Sequence, residues 1–239
     1  MKLENILRAL EGGEVCIICG RHSENMRIKC DGVGVCRDCY RELMRERASD
    51  YFVTKLIPKL FAPFPYKGRL RRAMHSLKFK NSPAYAAPMA RLIYDALPPY
   101  YYYAGYDMIL PVPMHPGKME DRGYNQAALI AKELGALFGI EFSDEVLFRV
   151  KHTQPQMQLS RLMRNQNLKN AFFAPRELVE HKKILLFDDI FTAGATVRYC
   201  REALLEKGAD EVSVIAMCEN ITKSQKEYPK IRIPHASAK

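Results

Sequence analysis

Residues 183–197 read Lys183-Ile184-Leu185-Leu186-Phe187-Asp188-Asp189-Ile190-Phe191-Thr192-Ala193-Gly194-Ala195-Thr196-Val197. The unbroken apolar run 184–187 ahead of two carboxylates predicts a buried parallel strand that ends in acids. A loop of small residues follows, and a helical pattern takes over at 197–207. Strand, loop and helix in this order belong to an open α/β sheet, which places its ligands at such crossings.

The helix start offers free N–H groups and the positive end of a dipole, which suit a phosphate. Gly194 permits close backbone approach, and Thr192 and Thr196 add hydroxyl donors. Two adjacent acids ahead of a phosphate cradle fit a ribose 5-phosphate, the acids accepting hydrogen bonds from vicinal hydroxyls. A strand ending in Asp188-Asp189 also resembles a Walker B element. The chain lacks the G-x-x-x-x-G-K-[ST] loop that would hold β- and γ-phosphates, which removes the nucleotide-triphosphatase reading. Ordinary helix capping explains one Asp or Thr but not the whole run.

Upstream, residues 106–112 predict a second short strand. Pro113-Met114-His115-Pro116-Gly117-Lys118 reads as a turn-rich loop whose tail is Asp121-Arg122-Gly123-Tyr124-Asn125-Gln126, and helical periodicity resumes at 127–138. This loop therefore also sits at a strand-to-helix crossing. Between the two units, Arg149, Lys151, His152, Arg161 and Arg164 form a cationic set able to neutralise a diphosphate. A helix over 159–168 is equally compatible, with Arg161 merely solvated.

Near the start, Cys16-Ile17-Ile18-Cys19-Gly20 and Cys36-Arg37-Asp38-Cys39 are two C-x2-C hooks separated by sixteen residues. That is the spacing of a four-cysteine zinc site. Four thiolates fill a tetrahedral ion and leave no open position, so the module is expected to be structural and to unfold largely by itself when the metal is removed. Cys30 stays ambiguous. Cys200 and Cys218 fall in apolar-rich segments and read as small core residues.

The net charge of +10 is concentrated in residues 51–100, with nine basic residues against one acidic. In 66–78, Leu70, Met74 and Leu77 recur at helical spacing, leaving basic residues around another face. Lys67, Arg69, Arg71, Arg72, Lys78 and Lys80 are candidate nucleic-acid contacts, because solubility alone normally mixes signs. Tyr66, Phe79 and the Tyr100-Tyr101-Tyr102-Tyr103 run could stack on bases or pack as core aromatics. Residues 1–10 lack a signal-peptide core, and the apolar stretch 97–114 is broken by four prolines and Asp107, so no membrane span is expected. Without a secretory signal, the clustered cysteines favour metal over disulfides and a cytoplasmic location.

The segment 188–196 resembles the phosphoribosyl diphosphate (PRPP) loop of type I phosphoribosyltransferases. The set Pro111-Val112-Pro113, Arg122-Gly123-Tyr124-Asn125-Gln126, Thr153-x-x-Gln156, Arg164-x-x-Asn167 and Ala171-Phe172, with that loop and the cysteine hooks, is similar to the ComF family over nearly the whole chain. The resemblance implies that Asp188 and Asp189 take the ribose hydroxyls, and that Phe191, Thr192, Ala193, Gly194, Ala195 and Thr196 bind PRPP, entering with magnesium. Ala193 stands where family members often carry Thr, which removes one hydroxyl donor. Pro113, Arg122, Gly123, Asn125 and Gln126 would face the diphosphate. Arg149, Thr153, Gln156, Arg161, Arg164 and Asn167 would form a mobile lid, with Arg164 joining Asp188 and Asp189 in catalysis.

The expected architecture is an N-terminal helix with a four-cysteine zinc finger (1–48), a basic helical connector (49–99), a type I phosphoribosyltransferase-like domain with a largely parallel sheet (100–221) and an irregular tail (222–239). The resemblance implies a role in DNA uptake and natural transformation, with single-stranded DNA and a helicase-like competence protein as partners. Three functions stay open at this point: a phosphoribosyltransferase, a DNA-handling adaptor that keeps the pocket as a sensor, and a nucleobase-salvage enzyme. The last predicts a base-recognising hood that cannot be located in the sequence.

Overall fold

In the computed structural model, residues 14–47, 51–52, 59–79, 82–98, 101, 105–150, 170–192, 194–220 and 230–231 are described. Strands β1 (Glu14–Cys16), β2 (His22–Ser23), β3 (Met26–Cys30) and β4 (Val33–Cys36) form a small sheet ordered β2-β1-β4-β3, and helix α1 (Arg37–Glu46) follows. Gly34 is required there, because a Cβ would lie 2.2 Å from the Ile28 carbonyl oxygen across the β3–β4 pair.

The chain continues through β5 (Tyr51–Phe52), β6 (Leu60–Phe61), β7 (Phe64–Pro65), α2 (Gly68–Phe79), a 3-10 turn (Pro83–Tyr85), α3 (Ala86–Ala96) and β8 (Met108–Pro111). It then forms α4 (Pro116–Arg122), α5 (Gln126–Phe138), β9 (Glu141–Phe142), β10 (Phe148–Arg149), β11 (Phe172–Phe173) and α6 (Arg176–Val179). The last elements are β12 (Lys183–Phe191), α7 (Ala195–Glu206), β13 (Glu211–Glu219) and β14 (Lys230–Ile231).

The main sheet runs β14-β5-β6-β13-β12-β8-β9, with β7 also on β13. Every pairing from β6 through β9 is parallel, while β5 and β14 add antiparallel pairs at one edge. The expected α/β class with a largely parallel sheet is what the chain adopts. Alternation along the central strands sends Leu185, Phe187, Ile215 and Met217 into one core and Ile184, Leu186, Val214 and Ala216 into another, so both faces of the sheet are covered.

Three features depart from local expectation. The strand does not stop at Phe187: β12 passes through both acids to Phe191, because Asp188, Ile190 and Phe191 keep register with Ala216, Cys218 and Glu219 of β13. The stretch 49–99 supplies β6 and β7 to the main sheet, in one continuous register on β13, and the interruption falls at Ala62-Pro63, where proline has no N–H to donate. Within 222–239, Lys230–Ile231 is a strand paired with β5.

The finger is also not a detached module. Ile17, Ile28, Val35 and Leu43 share one buried cluster with Leu70, Met74 and Leu77 of α2 and Met89, Leu92 and Ile93 of α3. The Tyr40 hydroxyl donates to Asp95 Oδ2 at 3.0 Å, and the Arg91 Nε donates to the other oxygen of Asp95 at 2.8 Å, tying α1 to α3. No helix among the described residues is long and apolar enough to cross a membrane.

Candidate functional site

The Sγ atoms of Cys16, Cys19, Cys36 and Cys39 all lie within 4.8 Å of one another. Zn–S bonds of about 2.3 Å place tetrahedral sulfurs about 3.8 Å apart, so the quartet could hold a structural metal such as zinc with little adjustment. The sulfur of Cys16 accepts from the Cys36 N–H at 3.4 Å, and an Arg69 guanidinium nitrogen lies 4.0 Å from that of Cys39. Such contacts offset thiolate charge. Cys30 stands outside the quartet, half-buried in β3. Cys200 and Cys218 are buried core residues, and burial pushes both thiols up.

A cleft of about 690 Å³ opens where β8 and β12 feed into their following segments. Its floor is the acid pair. The Asp188 side chain is enclosed by protein, although part of its surface faces the cleft. Burial first, and the Asp189 charge second, push its carboxyl up to about 7, against the pull of Lys78. Asp189 forms an ion pair with Lys78, Oδ2 to Nζ 2.5 Å.

After β12, Thr192, Gly194, Ala195 and Thr196 line the cleft at the head of α7. Gly194 takes a left-handed conformation (φ 73°) as the cap of that helix and has no side chain to place over it, and the first residues of this 12-residue helix line the cleft. The Phe191 side chain packs into the core below. Ala193 lies outside the described residues.

The opposite wall is residues 112–127. The turn-rich segment expected here as a loop instead contains α4, with Pro116 at its first position, the His115 Nδ1 accepting from the Gly117 N–H at 3.2 Å, and a left-handed Gly123 ending it. Pro113, Arg122, Asn125 and Gln126 all reach the cleft. Asn125 spends its amide on shape: Oδ1 accepts from the Ala127 N–H and Nδ2 donates to the Val112 carbonyl, both at 3.0 Å. Arg122 donates to the buried Gln126 side chain at 2.9 Å. Lys118 joins this wall; burial, then the charges of Arg122 and Lys78, lower its affinity for a proton.

Arg149, from β10, stacks over the Phe172 ring at 5.7 Å and also lines the cleft. The remaining lid candidates, Thr153, Gln156, Arg161, Arg164 and Asn167, with Lys151 and His152, lie outside the described residues, as does Lys80. The cleft thus presents two acids at its floor, Lys78, Lys118, Arg122 and Arg149 around them, and Glu120 and Asp121 on the α4 wall. Lys118 falls in the stretch 113–126 expected to face a diphosphate, but the sequence does not single it out within that loop.

The basic stretch of α2 does not form one face. Lys67 pairs with Glu46 at 3.3 Å and Arg69 with Glu42 at 3.2 Å, so carboxylates of α1 supply the acids missing locally. Lys78, expected on a nucleic-acid face, turns into the cleft. Arg71 and Arg72 are exposed, with Arg71 over the Tyr66 ring at 5.8 Å.

No family model matches the chain. Among solved structures it is similar to an allosteric regulatory enzyme of purine biosynthesis (21% identity, TM-score 0.37, 61% of this chain and 26% of that one). It is also similar to the adenine phosphoribosyltransferase of Leishmania donovani (12%, TM-score 0.35, 81% and 87%). In sequence it is 36% identical over 110 residues to Competence protein F of Haemophilus influenzae, a match spanning 45% of this chain and about half, 48%, of that protein. Competence protein ComFC of Bacillus subtilis is 25% identical over 207 residues, 82% of this chain and 73% of that protein. DNA utilization protein YhgH of Salmonella typhi is 31% identical over 166 residues, 68% and 73% respectively. With a relative this similar matched over most of its length, and with the cysteine quartet and the acid-bearing strand both in place, the chain belongs to the ComF family.

Proposed function

We propose that the cleft binds PRPP or a related ribose 5-phosphate compound, and that the protein acts in DNA uptake and natural transformation, on single-stranded DNA in the cytoplasm. The observation that carries the ligand reading is the run from the acid pair of β12 to the head of α7 inside one cleft that also holds Lys78, Lys118, Arg122 and Arg149. Asp188 and Asp189 would accept from vicinal ribose hydroxyls, and the N–H groups from Gly194 onward, with Thr192 and Thr196, would hold the 5-phosphate. Lys118, Arg122 and Arg149 would face a diphosphate.

Among the described residues, the cysteine quartet is the one cluster of three or more His, Cys, Asp or Glu suited to a metal. Magnesium carried by the diphosphate would supply positive charge for the leaving group when bound. The chain's own part is to orient the ribose and neutralise the leaving group.

The biological reading is supported by the relatives' names, Competence protein F, ComFC and DNA utilization protein. Exposed Arg71 and Arg72 would meet phosphates of the strand, and a helicase-like competence protein is the proposed partner. Incubation with PRPP and magnesium, with and without single-stranded DNA, tests the reading by diphosphate release. Release establishes turnover; PRPP binding without release favours an adaptor that uses the pocket as a sensor; failure to bind PRPP or ribose 5-phosphate refutes the ligand assignment.

A further inference from the structure

We propose that Lys78 is a positioning residue of the ribose subsite: its ammonium grips and aims Asp189, so that the acid pair can receive a vicinal diol. This rests on the ribose-phosphate reading above. The residue comes from α2, outside both crossover units, and neither the PRPP-loop resemblance nor the basic-face expectation gives it this role.

Lys78 Nζ lies 2.5 Å from Asp189 Oδ2, and the two side chains are only 15% and 17% exposed. A pair this far withdrawn from solvent is not the surface kind that salt and motion dissolve. The C-terminal end of α2 is held in place from the other side of the cleft: the Tyr124 hydroxyl donates to the Leu77 carbonyl, one residue before Lys78. Leu70, Met74 and Leu77 bury the helix in the core beneath. The ammonium is therefore delivered by a fixed element, as a positioning group requires.

Two adjacent carboxylates at the end of a buried strand repel each other, and one of them tends to keep its proton. Asp188 shows that tendency, pushed up to about 7 by burial and by Asp189, with Lys78 pulling the other way. Lys118 of α4, Cys200 of α7 and Cys218 of β13 also lie within electrostatic reach of this pair, and Glu120, Asp121, Arg122 and Arg149 line the same cleft. Burial works against the charge of Lys118, and the two thiols are held neutral, so none of them replaces an ammonium at 2.5 Å. Without Lys78, Asp188 would keep its proton to higher pH and Asp189 would lose its anchor, leaving the diol one fewer charged, well-aimed acceptor.

The test is calorimetric titration of the full chain with ribose 5-phosphate and with inorganic phosphate, between pH 6 and 9, for wild type, Lys78→Met and Lys78→Arg. Loss of one charge-assisted contact predicts ribose 5-phosphate affinity about tenfold lower at pH 7 in Lys78→Met. That affinity should recover as pH rises, with inorganic phosphate affinity changed by less than about threefold. Lys78→Arg keeps the charge and should keep the wild-type pH profile. As a ligand-independent readout, the Asp188 carboxyl carbon, followed by NMR, should titrate at higher pH in Lys78→Met than in wild type. Unchanged affinity and an unchanged Asp188 titration overturn the proposal, as does equal weakening of phosphate and ribose 5-phosphate, which would make Lys78 a phosphate cation. Wild type that binds phosphate but not ribose 5-phosphate removes the ribose reading itself, a result distinct from any effect of the substitution.

Discussion

Cys39 is fully buried, at the junction of α1 with the body of the protein, and Cys39→Ser should do more than empty a finger. Structural zinc in small modules contributes about 10–16 kcal/mol, as much as a whole domain's usual stability of about 5–15 kcal/mol. Residues 14–46 should therefore unfold without metal. The question is how far the loss spreads. Ile17, Ile28, Val35 and Leu43 pack in the same cluster as Leu70, Met74, Met89, Leu92 and Ile93. A fully buried aliphatic side chain contributes about 1.5–3 kcal/mol, so half-exposing three of those on α2 and α3 removes about 2–4 kcal/mol of local stability. Hydrogen exchange reads this directly, as protection about 30-fold or more lower in α2 and α3. Amides of β12 and β13, which also pack on α7 across the other core, should keep theirs. Metal analysis should show loss of the ion in Cys39→Ser and full retention in Cys30→Ser. If residues 14–46 lose protection while α2 and α3 exchange as in wild type, the finger is an independent module and the shared-core argument fails.

Asp188→Asn and Asp189→Asn should weaken PRPP and ribose 5-phosphate binding without unfolding the chain, as judged by calorimetry and melting curves. The Asp188 carboxyl is raised from about 3.8 to about 7. Its contribution to stability is thus fully present below about pH 3.8 and lost as pH rises through 7, so Asp188→Asn should flatten the decline of Tm between pH 5 and 8. Gly34→Ala should destabilise the finger by about 1–3 kcal/mol, because the new Cβ meets a backbone carbonyl and not a movable side chain; denaturant midpoints check it. Replacing Arg71 and Arg72 by Gln should weaken single-stranded DNA binding across all sequences and flatten the salt slope by up to about 1.4 units. Arg69→Gln should add less than either, since Arg69 already faces Glu42, and filter binding across a salt series separates the cases.

Units written within a few residues of one another are legible in the chain before it folds. The two C-x2-C hooks converge because each fixes two thiolates on one turn, and the apolar run at 184–187 has no home but a buried strand. The acid pair and the helix head after Gly194 are likewise adjacent in the chain, so their meeting needed no long-range contact. Which distant groups come to face them is set by long-range packing. Lys78 enters the cleft because α2 crosses the end of β12, more than a hundred residues further along the chain. Glu42 and Glu46 neutralise part of a stretch that looks uniformly basic when only its own neighbours are counted. The extension of β12 through Asp188 and Asp189, and the recruitment of β6 and β7 to the sheet, follow from hydrogen-bond register with β13, and register is a property of two strands that neither sequence contains alone.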